Sequence, residues 1–413
     1  MPHENMIHNA RMQMARHSRQ LRKILSTRGI AGITDRVRTV IGGCILPKGI
    51  VLPVESADIL AADLSHPPLL AQSAVKPGDP LVINWVMVPA GPQSGGHTTI
   101  FRIIRYLEAH GYVNRIYFYN IHGADHEYYK SFTQNFYEFH GPVERVELGM
   151  KDAHAVIATS WATAYPVFNS SNAGKRFYFV QDYEPYFYPV GAINLLAENT
   201  YRMGLHAITA GKWLSEKLSA EYGMTTDSFD FGCDTSVYSL TASTKRTGLV
   251  FYARPDAPRR GFELGLMAME IFATRRPDID LHFYGDTMGR LRFPIIDHGK
   301  IPPKELNRIY NLCYGGLSLS LTNVSLVPHE MLAAGCIPVV NEAIQNRTVL
   351  DNLFVRYAPP NPHALASELE AVVNTPNFEE LSRAASASVR GASWDDAGAT
   401  VDGILRRALD ATR

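Results

Sequence analysis

Two arginines, one glutamate and a glycine pair stand where a phosphorylated ligand could be held. Arg254 and Arg260-Gly261 follow directly on the apolar run Leu249–Tyr252. The carboxyl end of a strand is where open α/β sheets bind ligands. Two permanent guanidinium charges there can grip a diphosphate through paired hydrogen bonds. Further on, Thr322-Asn323-Val324-Ser325-Leu326-Val327-Pro328-His329-Glu330 reads as the opening of a helix. Ser325 has the chemistry of an N-cap, and Pro328 fits a first helical turn, where its missing N–H has no partner to lose. Amides at such a helix start hold phosphate. Glu330, one turn further in, can accept hydrogen bonds from ribose hydroxyls. In the first half of the chain, Gly95 and Gly96 lie between an apolar run and a helical pattern. Glycine there admits a ligand close to the backbone, although the third glycine of a dinucleotide fingerprint is missing.

Each feature also has a plainer reading: a tight connection at the glycines, a surface pair at the arginines. Other chemistry is excluded more firmly. Asp278-Ile279-Asp280 spells a metal–nucleotide motif, but it precedes the strand Leu281–Tyr284 and reads as a solvated turn. The 15 histidines show no His-Glu-x-x-His spacing, so no metal site is expected. The aromatics Phe177, Tyr178 and Phe179 belong to a strand. Tyr183 and Tyr186 lie beyond it and are candidates for stacking on acceptor sugars.

The elements that must position these residues follow an alternating pattern. Leu81–Val88, Arg115–Tyr119, Ala155–Thr159, Phe177–Val180 and Ala207–Thr209 read as buried strands, with a helix over Thr98–His110 ended by Gly111. A second series contains Leu249–Tyr252, Leu281–Tyr284, Gly316–Leu319 and Ile337–Val340. The polar stretch Ser239–Gly248 lies between as a linker. The expected fold class is α/β, with two Rossmann-like doubly wound domains. The predicted boundaries are 1–80 for a helical or irregular extension, 81–240 and 248–390 for the domains, and 391–413 for a C-terminal helix crossing back onto the first. Residues 1–40 are strongly basic, which fits either a helix on an anionic membrane surface or a solvated helix on the body.

Composition narrows the class. The 40 basic and 40 acidic side chains balance, which gives no sign of a nucleic-acid partner. Four cysteines stand far apart, without zinc or redox spacing. No apolar run reaches the roughly 18 residues of a membrane span, and no secretory leader is read. A cytoplasmic protein is expected. Its oligomeric state is left open, a homodimer included.

The run Glu330-Met331-Leu332-Ala333-Ala334-Gly335-Cys336-Ile337-Pro338-Val339-Val340 resembles the donor-binding motif of retaining GT-B glycosyltransferases of family four. Arg254…Arg260-Gly261-Phe262-Glu263, Phe283-Tyr284-Gly285-Asp286, Gly232-Cys233-Asp234-Thr235 and Gly95-Gly96-His97 extend the likeness over roughly residues 81–345. The resemblance implies a GT-B fold with its domains facing a cleft. Arg254 and Arg260 would neutralise the donor diphosphate, Glu330 would bind ribose, and Ser325, Leu326 and Val327 would meet phosphate. Thr322 and Asn323 open the same donor-site loop. Gln181-Asp182 would lie near the sugar, with Gln181, Tyr183 and Tyr186 facing the acceptor.

Two positions depart from that pattern. Thr322 stands where the family usually has a second glutamate, and Gln181 where many members have histidine. Val180-Gln181-Asp182-Tyr183-Glu184 and the N-terminal extension are most similar to the WsaF-type rhamnosyltransferases of bacterial surface (S-layer) glycan assembly. That likeness implies dTDP-L-rhamnose as donor, a glycan or lipid-linked glycan as acceptor, peripheral membrane association, retention at the anomeric carbon and no cofactor or metal. Asp182 could serve as nucleophile or orient the acceptor hydroxyl. Front-face departure with proton transfer to the leaving phosphate is equally open.

Overall fold

The computed structural model describes residues 52–69, 79–89, 91, 94–121, 123–241 and 245–410. The basic segment 1–40, and with it the helix read there, on a membrane surface or on the body, lies outside the described residues. Val54–Arg413 forms one compact unit.

After a short helix α1 (Ser56–Ala61), the first series runs β1 (Val82–Met87), α2 (Gly95–Ala109), β2 (Val113–Phe118), α3 (His126–Phe136), β3 (Val143–Arg145), β4 (Ala155–Ala158) and α4 (Trp161–Asn169). It continues through β5 (Lys175–Val180), α5 (Ala192–Asn199), β6 (His206–Ala210), α6 (Lys212–Tyr222) and β7 (Thr226–Phe229). All seven strands are parallel, in the order β3-β2-β1-β4-β5-β6-β7. The second series runs β8 (Gly248–Tyr252), α7 (Phe262–Arg275), β9 (Asp280–Tyr284), β10 (Ile296–Asp297), α8 (Pro303–Leu312), β11 (Cys313–Leu317) and α9 (Val327–Ala333). It ends with β12 (Ile337–Asn341), α10 (Ile344–Leu350), β13 (Arg356–Ala358), α11 (Pro362–Val373) and α12 (Phe378–Ala387). Its six parallel strands follow the order β10-β9-β8-β11-β12-β13. The last helix is α13 (Trp394–Asp410). The strand order reverses between β1 and β4 and again between β8 and β11, and ligand crevices open at such switch points.

The central strands are buried on both faces, so they read as continuous apolar runs rather than as alternation. In β1, Ile83, Trp85, Val86 and Met87 are all fully buried. One strand begins earlier than its sequence reads. The strand read as Gly316–Leu319 runs from Cys313 to Leu317, so Gly315 and Gly316 both lie inside β11. A Cβ on Gly315 would stand 2.6 Å from the Ile337 carbonyl, and one on Gly316 would stand 2.5 Å from Val250. The glycines are present because the neighbouring strands and Met331 close over them.

Helix α13 packs on the first domain. Val401, Ile404 and Leu405 join Ile100, Ile103, Ile104 and Leu107 of α2 in one core. Lys175 Nζ caps its end by donating to the Ala408 carbonyl at 2.8 Å. No described helix is long and apolar enough to cross a membrane.

Candidate functional site

The cleft between the sheets is built from strand ends. β5 runs into Gln181-Asp182 and β8 into Arg254. A single 3-10 turn, Pro258–Arg260, then carries the chain to Gly261, whose φ of +57° starts α7. That left-handed conformation suits glycine, and it aims Arg259 and Arg260 at the first domain. Arg260 donates through Nη1 to Ser320 Oγ at 2.8 Å and to the Asn323 carbonyl at 3.2 Å. Ser320 is itself fixed by Asn341, which exchanges two hydrogen bonds with its backbone. Arg254 donates to the Tyr252 hydroxyl at 3.1 Å and keeps part of its surface open.

Asp182 meets these cations from the other domain. Its Oδ2 lies 3.6 Å from Arg259 Nε, and its Oδ1 accepts from the Tyr183 amide at 2.9 Å. Burial raises its pKa, while Arg260, the neighbouring Thr322 hydroxyl and Arg259 pull it back. Thr322 Oγ1 is buried beside that carboxyl without completing a hydrogen bond of full geometry. Two residues on, Glu184 is buried with Oε2 accepting from the Trp161 amide at 2.6 Å. Burial first, and then the charge of Asp182, push Glu184 up to about 8.

Glu330 lies on α9 at the far side of the cleft. Tyr310 donates to its Oε2 at 3.5 Å. Burial and the nearby Asp234 raise its pKa to about 7, against the opposing pull of Arg102, Tyr310 and Tyr238.

Several expected roles are corrected. Ser325 is not the N-cap: α9 starts at Val327 with Leu326 at the cap, and the Ser325 hydroxyl is buried and unpaired. The loop is held two residues earlier, where Asn323 donates to the Gln181 and Ala210 carbonyls at 2.9 and 3.1 Å. The Asn323 side-chain N–H groups therefore tie the two domains. Leu326 packs on the first-domain core and Val327 on the second. Gly95 and Gly96 form no free loop; they are the first turn of α2, capped by Ser94. A Cβ on Gly96 would press on Gln181, whose Nε2 donates to the Gly96 carbonyl at 3.1 Å. Gln181 is thus partly engaged. Tyr183 is buried, stacks on Tyr201 at 5.5 Å and shares a hydrogen bond with Tyr222, so it cannot stack on a sugar. Tyr186, at 54% exposure, packs edge-on against Tyr183 and keeps much of its ring open to solvent.

Sequence reasoning missed Arg259, Glu184, Arg102 and Asp234. Arg259 was legible only as the neighbour of Arg260; the others become partners through the fold. Among the described residues no group of three His, Cys, Asp or Glu side chains is placed to hold a metal. Thr322 Oγ1, Asn323 Oδ1 and Ser325 Oγ are buried without a hydrogen-bond partner, and Arg259 Nε has only the ion pair with Asp182.

Comparison with known proteins points the same way. Residues 247–370 match the family described as WsaF, C-terminal domain. The O-antigen biosynthesis protein RfbC of Myxococcus xanthus is 31% identical over 267 residues, covering 62% of this chain and 20% of RfbC. The chain thus spans about a fifth of that relative. Sucrose-phosphate synthase of Thermosynechococcus elongatus superposes with a TM-score of 0.60 at 13% identity, over 80% of this chain and 100% of that one. HepE of Anabaena, solved with UDP-glucose, gives 0.60 at 15% identity, over 80% and 99%. The fold is GT-B, and the second domain is WsaF-like.

Proposed function

We propose that this chain is a glycosyltransferase that moves a 6-deoxyhexose, L-rhamnose from dTDP-L-rhamnose, onto a growing bacterial surface glycan. The observation that carries the transferase reading is the meeting of Arg259 and Arg260 with Asp182 across the cleft, with Arg254 close enough to Arg260 to add its charge. The WsaF-like second domain and the O-antigen relative support the kind of product. The sugar assignment rests on the WsaF likeness and on Gln181.

In this reading the diphosphate enters among the three arginines and displaces Asp182 as their counter-charge. Preorganised cations stabilise the charge that builds as the glycosidic bond breaks, commonly the largest catalytic term. They meet the diphosphate charge without a metal. Asp182, released from Arg259, is then available to orient an acceptor hydroxyl. A double displacement asks more of it, because its carboxyl would have to reach the anomeric carbon. The assignment favoured here is retention with the acceptor proton passing to the leaving phosphate. Tyr186 lines the acceptor side.

The test is a thermal-shift panel of nucleotide-sugars followed by product analysis with glycan acceptors. A true donor stabilises the native state by mass action. dTDP-L-rhamnose should give the largest shift, and the product should keep the donor's anomeric configuration. No shift with any nucleotide-sugar would overturn the transferase reading. Membrane contact through residues 1–40 belongs to the same proposal. Binding to anionic vesicles should disappear when those residues are removed and weaken as salt rises.

A further inference from the structure

A groove of about 760 Å³ opens on the first domain, walled by α1, by the segments that leave β2 and β3, and by the end of α4. Helix α1 carries no fully buried side chain, and a helix this short does not hold itself in water. Hydrogen bonds to the body hold it instead. The Tyr119 hydroxyl, just past the end of β2, donates to Asp58 Oδ2 at 2.5 Å and accepts from the Glu55 amide at 2.9 Å. Asn169, the last residue of α4, donates to the Asp58 carbonyl at 2.8 Å. These three bonds fix the wall of the groove before any ligand arrives.

The lining defines the chemistry of an occupant. Glu55, Asp58 and Glu147 line the groove, and among the described residues no Lys, Arg or His does. A phosphate or a carboxylate would be repelled there. The carboxylates are not gathered as metal ligands. Those of Glu55 and Glu147 have no hydrogen-bond or ion-pair partner among the described residues. Free carboxylates accept from hydroxyls through charge-assisted hydrogen bonds. Val146, Met150 and Pro166 add apolar surface in the same groove, which suits the C–H face of a sugar ring. Hydroxyls and a C–H face together describe a neutral saccharide. The position of the groove selects which one. Tyr119 and Asn120 follow the carboxyl end of β2, the same edge of the sheet at which Gln181 and Asp182 follow β5. Strands β1 and β4 lie between β2 and β5, so those two ends are three strand spacings apart, about 14 Å. A few linked sugar rings span that distance.

We propose that this groove is a second carbohydrate site, which holds the body of the growing glycan several sugars back from the end that is extended. This rests on the reading of the chain as a glycan-extending transferase and gives the acceptor a second hold on the first domain.

The test uses the full chain, with α-linked L-rhamnose di- and tetrasaccharides as probes and no donor present. Affinity is measured by isothermal titration for the wild type, for Ser171→Trp, which fills the groove from an exposed position, and for Glu147→Lys, which reverses an exposed charge on its wall. The wild type should bind the tetrasaccharide more tightly than the disaccharide. Each substitution should weaken tetrasaccharide binding by about tenfold or more, while dTDP binds as it does to the wild type and so shows that the variant is folded. If Ser171→Trp does not fold, Glu147→Lys carries the test. Arg260→Ala should lose affinity for dTDP and keep the tetrasaccharide. No tetrasaccharide binding to the wild type would overturn the proposal, and so would equal binding to the wild type and the folded groove variant. Spermidine binding that Glu147→Lys abolishes, with no saccharide bound, would give the groove to a cationic ligand and overturn it as well. A chain that holds the tetrasaccharide in the groove but binds no nucleotide-sugar would instead sink the transferase reading and leave the carbohydrate site standing.

Discussion

Asn323, on a loop of the second domain, donates its side-chain amide to the backbone carbonyl of Gln181 in the first at 2.9 Å, and to that of Ala210 at 3.1 Å. Both of its N–H groups are spent on the opposite domain. The carbonyl that accepts one of them belongs to the residue next to Asp182, and the Asn323 carbonyl in turn accepts from Arg260. One asparagine thereby sets the distance between the carboxylate and the cations it faces. Asn323→Ala would leave two buried carbonyls unpaired. A loss of about 1–3 kcal/mol of stability is expected, together with a weaker donor KM, because Arg260 and Asp182 would no longer be held in register. Calorimetric unfolding and steady-state kinetics check it. Wild-type stability with unchanged KM would show that the tie does neither.

Arg260→Ala tests the diphosphate grip. Its partners Ser320 and the Asn323 carbonyl belong to the protein itself, so the site loses its innermost cation without losing a strand. Binding of free dTDP should weaken by about 1.5–3 kcal/mol, the value of a charge-assisted hydrogen bond, and turnover should fall further. Isothermal titration decides it; affinity equal to that of the wild type would remove Arg260 from the donor site.

Glu184 gives a pH prediction with a definite sign. Its carboxyl is pushed up to about 8 from an ordinary 4.5, chiefly by burial. Between those values the native state holds a proton that the unfolded chain has released. Native stability from this group is therefore full at low pH and is lost as pH rises through 8. Glu184→Gln keeps an acceptor for the Trp161 amide and has no proton to lose. The variant and the wild type should melt alike near pH 5. Near pH 9 the variant should be the more stable, on the order of a few kcal/mol at most. Melting curves that stay parallel across this range would count against it.

What the sequence made legible follows from locality. The buried strands β1, β8, β9 and β12 show as apolar runs because both faces are covered. The edge strand β7, Thr226–Phe229, buries only its last residue fully and carries no such run. The strand read as Gly316–Leu319 begins three residues earlier, at Cys313, because the reason for its two glycines is a neighbouring strand rather than a local signal. Arg254, Arg260 and Glu330 are visible because each stands at a fixed spacing from a strand or helix end. Arg102 and Asp234, 132 residues apart, have no local signature for their pairing. Tyr183 fails in the opposite direction: its position after the strand is local, but its burial under Tyr201 and Tyr222 is tertiary.

The identity of the donor sugar is the most exposed expectation, and the structure changes the argument for it. A site built to hydrogen-bond a hydroxyl discriminates strongly against a sugar lacking it, while an apolar wall tolerates the extra group. Gln181 stands where a histidine would offer such a bond, and its Nε2 is already given to the Gly96 carbonyl at 3.1 Å. Its backbone carbonyl is taken by Asn323. One of the two N–H groups of the Gln181 amide is therefore committed within the protein. Tyr183, buried under its neighbours, cannot supply the apolar contact for a methyl group. Phe187 is better placed, half-buried with Arg259 stacked 4.6 Å from its ring centre. The measurement is competition between dTDP-L-rhamnose and a dTDP-hexose bearing the sixth hydroxyl, with relative kcat/KM read from product ratios. A preference for rhamnose is expected. It should shrink in Phe187→Ala, which removes the apolar contact, and in Gln181→His, which restores a donor near the hydroxyl. A wild-type preference for the hydroxylated hexose would overturn the sugar assignment and leave the arginine cluster and Glu330 as the donor site of a different transferase.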